Sequence, residues 1–237
     1  AHAADIVRSM TNAVRIPVTV KMRKGWDEDE QNAPDLARRL EDAGASAITI
    51  HGRTAKQSYS GSADWDFVSE VARSLTIPVF GSGDCVEPSQ VVERMRSGVS
   101  GVFVGRGVLR NPWILAQAAD LLAGREVRTV SLEDRGRFLL EYLQLLLDER
   151  VDEPAGFRHV APGTDDAEVQ GPARGRERWV INKLRALCAW YSKGLDGGSH
   201  LRTAINSADS LAAVREVIDR FFFAGDRFVD QPQHAGA

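Results

Sequence analysis

Ala47-Ile48-Thr49-Ile50-His51-Gly52-Arg53 reads as a short, largely apolar strand that ends abruptly in a charged, glycine-bearing tip. Three other segments share the form. Val18-Thr19-Val20-Lys21-Met22-Arg23 lies upstream; Val79-Phe80-Gly81-Ser82-Gly83-Asp84 and Val102-Phe103-Val104-Gly105-Arg106-Gly107 lie downstream. Runs without polar alternation predict strands buried on both faces, as in a parallel sheet. The strands are placed at 18–22, 47–50, 77–80 and 101–104, with helices over 32–43, 64–75 and 88–97 between them. Gly44 and Gly98 follow two of these helices as C-cap residues. The βα repeat is about 25–30 residues. A closed (β/α)8 barrel takes eight such units in about 200–250 residues. The four units here correspond to half of one, with the polar tips on the carboxyl-end rim where such barrels bind anions.

The 237 residues carry 30 Lys and Arg against 33 Asp and Glu, a formal net charge of −3. The chain as a whole is therefore no general polyanion binder, and contact with nucleic acid falls to local basic patches. Cys85 and Cys188 form no CxxC spacing, which argues against a disulfide framework or a metal site and fits a reducing cytoplasm. Without a signal-like segment or a long apolar span, a soluble protein with no membrane partner is expected. Residues 1–15 have Ile6, Val7, Met10 and Val14 at helical spacing and no leading Met, the pattern of a chain entered midway through a helix. Further on, 111–150 reads as helical with a stripe of Leu139, Leu140, Leu143, Leu146 and Leu147. Residues 151–177 mix Pro, Gly and charge without a period, predicting a flexible insertion. Helix returns over 178–193 and 209–223, and the tail after Gly225 is expected to fray.

Each motif has a chemical and a bland reading. Lys21, at a strand end, suits a point-charge donor to a phosphate or flavin oxygen, or a snorkelling surface lysine. In His51-Gly52-Arg53 the glycine allows close backbone approach and the arginine can fork onto a phosphate; a satisfied rim histidine beside a surface arginine is the alternative. Gly81-Ser82-Gly83-Asp84 and Gly105-Arg106-Gly107 resemble the phosphate-binding loops of barrels, built from backbone N–H groups and a short helix N-terminus; ordinary βα turns use the same residues. Cys85 reads as a small buried residue rather than an activated thiol, and Cys188 as core. Tyr59 and Trp65 are candidates to stack on a base or flavin, or to staple their loop. The basic residues Lys183, Arg185, Lys193 and Arg202 are interleaved with Trp190 and Tyr191, a pattern for RNA backbone contact or for a solvated helix face.

Taken together, PVTVKMRKGWDED, AITIHGRTAKQSYSGSADWDFV, IPVFGSGD and GVFVGRGVLRNPWIL resemble the tRNA-dihydrouridine synthase family, in its bacterial B-type branch. INKLRALCAWYSKGLDGGSHLRTAIN resembles the family's C-terminal helical domain. The resemblance covers about 5–120 and 179–223. It implies an α/β chain: the C-terminal half of a TIM barrel over 1–125, then an all-α tRNA-binding domain over 126–230. It implies reduction of uridine to 5,6-dihydrouridine in tRNA, with FMN as cofactor and NADPH as reductant. Lys21, His51, Ser82, Gly83, Asp84, Gly105 and Arg106 would hold FMN. Arg23, Arg53 and Lys56, with Lys183, Arg185 and Lys193, would face the tRNA. The chain departs from the family pattern in having Ser82 where Asn is usual. The family's proton-donating cysteine falls upstream of Ala1, so no catalytic residue is assigned, and a chain inactive by itself is expected. Such a chain would seek a separate N-terminal half or self-associate through its open strand edges. The alternatives are a non-catalytic tRNA-binding remnant and a phosphate- or FMN-binding barrel for a small molecule.

Overall fold

The computed structural model describes residues 2–149, 151–152, 158–159 and 174–225. The chain divides into two compact units, Ala1–Arg128 and Thr129–Ala237. The first runs α1 (His2–Ala13), β1 (Thr19–Arg23), α2 (Ala33–Asp42), β2 (Ala47–His51), α3 (Trp65–Ser74), β3 (Val79–Ser82), α4 (Pro88–Met95), β4 (Gly101–Phe103), α5 (Arg106–Arg110) and α6 (Ile114–Leu122). Its four strands form one parallel sheet in the order β1-β2-β3-β4. The unit is therefore α/β, as the alternation of apolar runs and amphipathic helices dictates. Local chemistry sets the boundaries: the Asp64 carboxylate accepts from Phe67 N to start α3, and Pro88 opens α4.

The register sorts the strand residues onto two faces. Arg23, His51, Ser82 and Phe103 form one cross-strand row, and Lys21, Thr49, Phe80 and Gly101 another on the same face. The intervening rows hold Ile48, Ile50 and Val79, which are buried with Leu40, Val68, Val71, Val91 and Val92 of α2, α3 and α4. The first face is more open: Lys21 is exposed and Phe103 is 50% exposed. This corrects the expectation of four strands buried on both faces. It holds for β2, whereas β1 and β4 have a neighbouring strand on one side only among the described residues. The stripe on α1 is corrected likewise. Val7 and Ala4 face the core, while Ile6, Met10 and Val14 are exposed.

The second unit comprises α7 (Leu132–Asp148), a short antiparallel pair β5 (Val151–Asp152) and β6 (Arg158–His159), α8 (Arg174–Tyr191), α9 (Gly198–Ser207) and α10 (Leu211–Phe222). Leu139, Leu143, Val180, Leu184, Tyr191, Leu201, Ile205, Val214, Ile218 and Phe221 are its buried side chains of note. Tyr191 Oη donates to Arg135 O at 3.0 Å, which satisfies the only polar atom of a large buried ring. The single helical stretch expected over 111–150 is broken between α6 and α7, and Ser131 caps α7 through Asp134 N. α9 was not foreseen, because two glycines open it and few apolar residues mark its period. The expected insertion at 151–177 lies largely outside the described residues, as does the tail beyond Gly225. Its described ends are ordered: β5 pairs with β6, and 174–177 belong to α8. There Arg176 is buried and donates to Leu146 O at 2.6 Å and to Glu149 O, closing the carboxyl end of α7. Among the described residues no helix is long and apolar enough to cross a membrane.

Candidate functional site

The strand tips of the first unit converge where β2 and β3 end. His51 Nδ1 lies 3.3 Å from Ser82 Oγ across the paired strands. Its ring packs against Gly83, whose φ of +134° and crowded surroundings leave no room for a side chain: an added Cβ would stand 2.5 Å from Ala63 Cβ. Among the described residues His51 Nε2 is buried without a hydrogen-bond partner. Burial lowers the His51 pKa to about 4, and the charges of Arg23, Lys21 and Arg53 add to that, so the imidazole is neutral near pH 7.

Arg53 sits immediately beyond His51 and is 2% exposed. Its Nη2 donates to both Asp84 carboxylate oxygens at 2.7 Å and to Gly61 O at 2.7 Å; its Nε donates to Ser60 O at 3.0 Å. Nη1 is buried without a partner among the described residues. Asp84, at a φ of 51°, also accepts from Ala63 N at 2.6 Å. Burial pulls its carboxyl pKa upward, but the Ala63 N–H and the Arg53 guanidinium outweigh burial and the net shift is downward. Trp65 anchors the same tip from below: its Nε1 donates to Gly83 O at 3.0 Å, and its ring covers Gly81 where a Cβ would be.

The loop from Gly52 to Asp64 is fastened on its other side to the tip of β1. Ala55 N donates to Gly25 O, and Lys56 N to Trp26 O, both at 2.9 Å. Lys24, buried despite its charge, reaches Glu28 at 3.2 Å and Asp64 at 3.5 Å. Arg23 Nη1 donates to Thr54 O and Ser58 O, each at 2.9 Å. The loop carries Tyr59 outward, 59% exposed, with the Arg106 guanidinium 4.1 Å from its ring centre.

The sequence-derived candidates thus divide. Lys21, His51, Ser82, Gly83 and Asp84 occupy the strand tips and the open pleat, and Gly105 and Arg106 follow β4. The helix after Gly105, α5, is short, with five residues. Arg53 does not face outward as expected, because Asp84, 31 residues away, draws it inside. Arg23, half-buried, donates to loop carbonyls, and Arg185, also half-buried, donates to Ala208 O at 2.8 Å. Lys56, Lys183 and Lys193 remain exposed; Lys56 pairs with Asp27 at 2.7 Å, while the Lys183 and Lys193 ammonium groups sit 5.4 Å and 3.7 Å from the Trp179 and Trp190 rings. Trp65 is a buried staple, not a stacking surface. Cys85 is buried and its thiol is pushed up to about 11, chiefly by burial; Cys188 is pushed to about 12 for the same reason. Lys24 and Asp64 were missed as parts of the rim, since nothing in their spacing joins them.

The His51 shift predicts a pH effect. A histidine with a depressed folded-state pKa binds fewer protons than the unfolded chain, so its contribution is complete above pH 6.5 and is lost as pH falls through 4. Urea titrations should show stability declining between pH 6.5 and 4, with a shallower slope in His51→Gln. An unchanged slope would contradict a neutral, partly buried His51.

Fold and rim together define a parallel α/β protein with glycines, cations and a neutral histidine gathered at the carboxyl ends of its strands. The family model described as dihydrouridine synthase matches residues 1–167. The chain belongs to the dihydrouridine synthase family. A probable tRNA-dihydrouridine synthase of Rickettsia conorii (strain ATCC VR-613 / Malish 7) is 35% identical over 225 residues, covering 93% of this chain and 60% of the relative. tRNA-dihydrouridine synthase B of Xanthomonas campestris pv. campestris is 31% identical over 236 residues, covering 99% and 64%. A probable tRNA-dihydrouridine synthase of Rhodobacter capsulatus is 40% identical over 148 residues, covering 62% of this chain and 46% of the relative. The chain spans about 60% of the length of the curated relatives that match most of it.

Proposed function

We propose that the chain supplies the FMN-holding rim and the tRNA-binding helices of a cytoplasmic tRNA-dihydrouridine synthase. The observation that carries this reading is the pair of buried, unpartnered polar atoms, His51 Nε2 and Arg53 Nη1, beside a glycine tip that no side chain can fill. Buried polar atoms without partners are unfavourable until a ligand supplies them. Lys21 and Arg106 add positive charge suited to a phosphate and to a reduced, anionic ring. The open sheet face with Lys21 and Phe103 fits the interior of a barrel whose remaining strands lie beyond β1 and β4; on this reading the first unit is half of a (β/α)8 barrel. The residues thus fit FMN, which when bound supplies, after reduction by NADPH, the hydride that saturates C6 of a uridine. His51, neutral at working pH, serves as a hydrogen-bonding group and not as a cation. Lys183 and Lys193, exposed beside tryptophans, offer contacts to the RNA backbone.

Protonating C5 requires an accessible acid. Both thiols here are buried with raised pKa values, so neither serves. With FMN, NADPH and unmodified tRNA, this chain alone is expected to form no dihydrouridine, while FMN fluorescence is quenched saturably and the melting temperature rises. Absence of any FMN binding would sink the reading of the rim. Dihydrouridine formation would sink the exclusion of the two thiols.

A further inference from the structure

The Arg53 guanidinium is divided in use. Of its five N–H donors, the one on Nε and those on Nη2 are committed to Ser60 O, Gly61 O and Asp84, while the two on Nη1 have no acceptor among the described residues. An ion pair made only to fasten the loop would not need to bury the second edge of the fork unsatisfied, and on a cation that is especially unfavourable. The same stretch holds the second orphan, His51 Nε2, two residues away, and the charges of Arg53 and Asp84 both act on that imidazole. Two unsatisfied buried polar groups at one strand tip mark a place for a hydrogen-bonding ligand, and the Nη1 edge of Arg53 calls for an acceptor on it.

We infer that Arg53 is a ligand-binding residue of the rim rather than an RNA contact, presenting Nη1 to an acceptor oxygen of the bound flavin nucleotide. Asp84 is the positioning residue: it fixes the Nη2 edge and thereby aims the Nη1 edge. The assignment rests on the proposal that this rim binds FMN, and deepens it. The shared chemistry is an oxygen acceptor, carried either by the phosphate or by the ring system.

The test follows the Arg53 Nε–Hε resonance in the 15N-labelled full chain, assigned through its contacts with Ser60 and Gly61. FMN, riboflavin and inorganic phosphate are titrated separately. The expected result is a saturable shift with FMN, shared by phosphate if the acceptor is the phosphate, or by riboflavin if it lies on the ring. In Asp84→Asn the FMN-induced shift should shrink, which a purely structural role for Asp84 would not produce. FMN affinity measured by fluorescence should fall at least tenfold in Arg53→Lys. An Arg53 resonance that moves with none of the three probes would overturn the inference, as would unchanged FMN affinity in a folded Arg53→Lys. If wild-type chain fails to bind FMN but phosphate moves Arg53, the flavin reading falls and the assignment of Arg53 survives with phosphate as its ligand. If Arg53→Lys does not fold, the titrations of the wild-type chain decide.

Discussion

Trp65→Ala should lower the stability of the first unit by about 3–5 kcal/mol, the upper range for deleting a buried aromatic side chain. The indole is 5% exposed and lies against Gly81, so close that a Cβ there would stand 2.2 Å from the ring. Gly81, beneath the ring, has no side chain to fill the space. The substitution also takes the Nε1 donor from Gly83 O and removes the ring that the Arg94 guanidinium approaches at 5.3 Å. Trp65→Phe should recover part of the packing but leave the carbonyl unpaired, for a loss of about 1–3 kcal/mol. Urea unfolding followed by circular dichroism measures both. The exposed Trp26 serves as comparison; its replacement by alanine should change stability by no more than about 0.5 kcal/mol. A Trp65→Ala loss as small as that would mean the β3 tip is not supported from α3.

Gly83→Ala should have the second largest effect and, for binding, the largest. At a φ of +134° any L residue is strained by about 1–3 kcal/mol. The new methyl would also meet Ala63 Cβ at 2.5 Å, overpacking worth about 1–3 kcal/mol more. Relief requires moving either the loop that carries Ala63 or the tip that carries Asp84. Both routes disturb Ala63 N–Asp84 and, through it, the seat of Arg53. Folded Gly83→Ala protein should therefore show FMN affinity reduced by more than tenfold. Affinity equal to wild type would place the flavin nucleotide away from this tip.

Much of the α/β unit was written plainly in the sequence, because each strand there is an apolar run closed by a polar or glycine tip and each helix has a clear stripe. The boundaries differ by one or two residues, as fraying ends and cap chemistry dictate. What stayed hidden has a common cause: spacing shows which residues share an element, not which distant group consumes a charge. Arg53 and Asp84 are adjacent only through the pairing of β2 with β3, so an arginine that reads as a surface contact is internal. Arg185, half-buried, is likewise engaged by carbonyls near the end of α9 that its spacing does not reveal. The exposed side of α1 and the open pleat were misread because an apolar run does not say whether a neighbour is present to cover it. Gly197 and Gly198 concealed the start of α9, where the left-handed residue Gly197 serves as the N-cap.

The register described for the sheet sets what length changes this chain tolerates. Arg23, His51, Ser82 and Phe103 stand in one row because each strand delivers its tip in phase with the next. One residue added inside β2 would turn His51 toward α2 and α3 and bring an aliphatic side chain to the rim, since the alternation along a strand has no intermediate setting. The same residue added between 123 and 130 would leave that phase untouched. Descendants of this sequence are thus freer to lengthen or shorten outside the strands, while inside them a single added residue must be absorbed by a bulge or matched by a second.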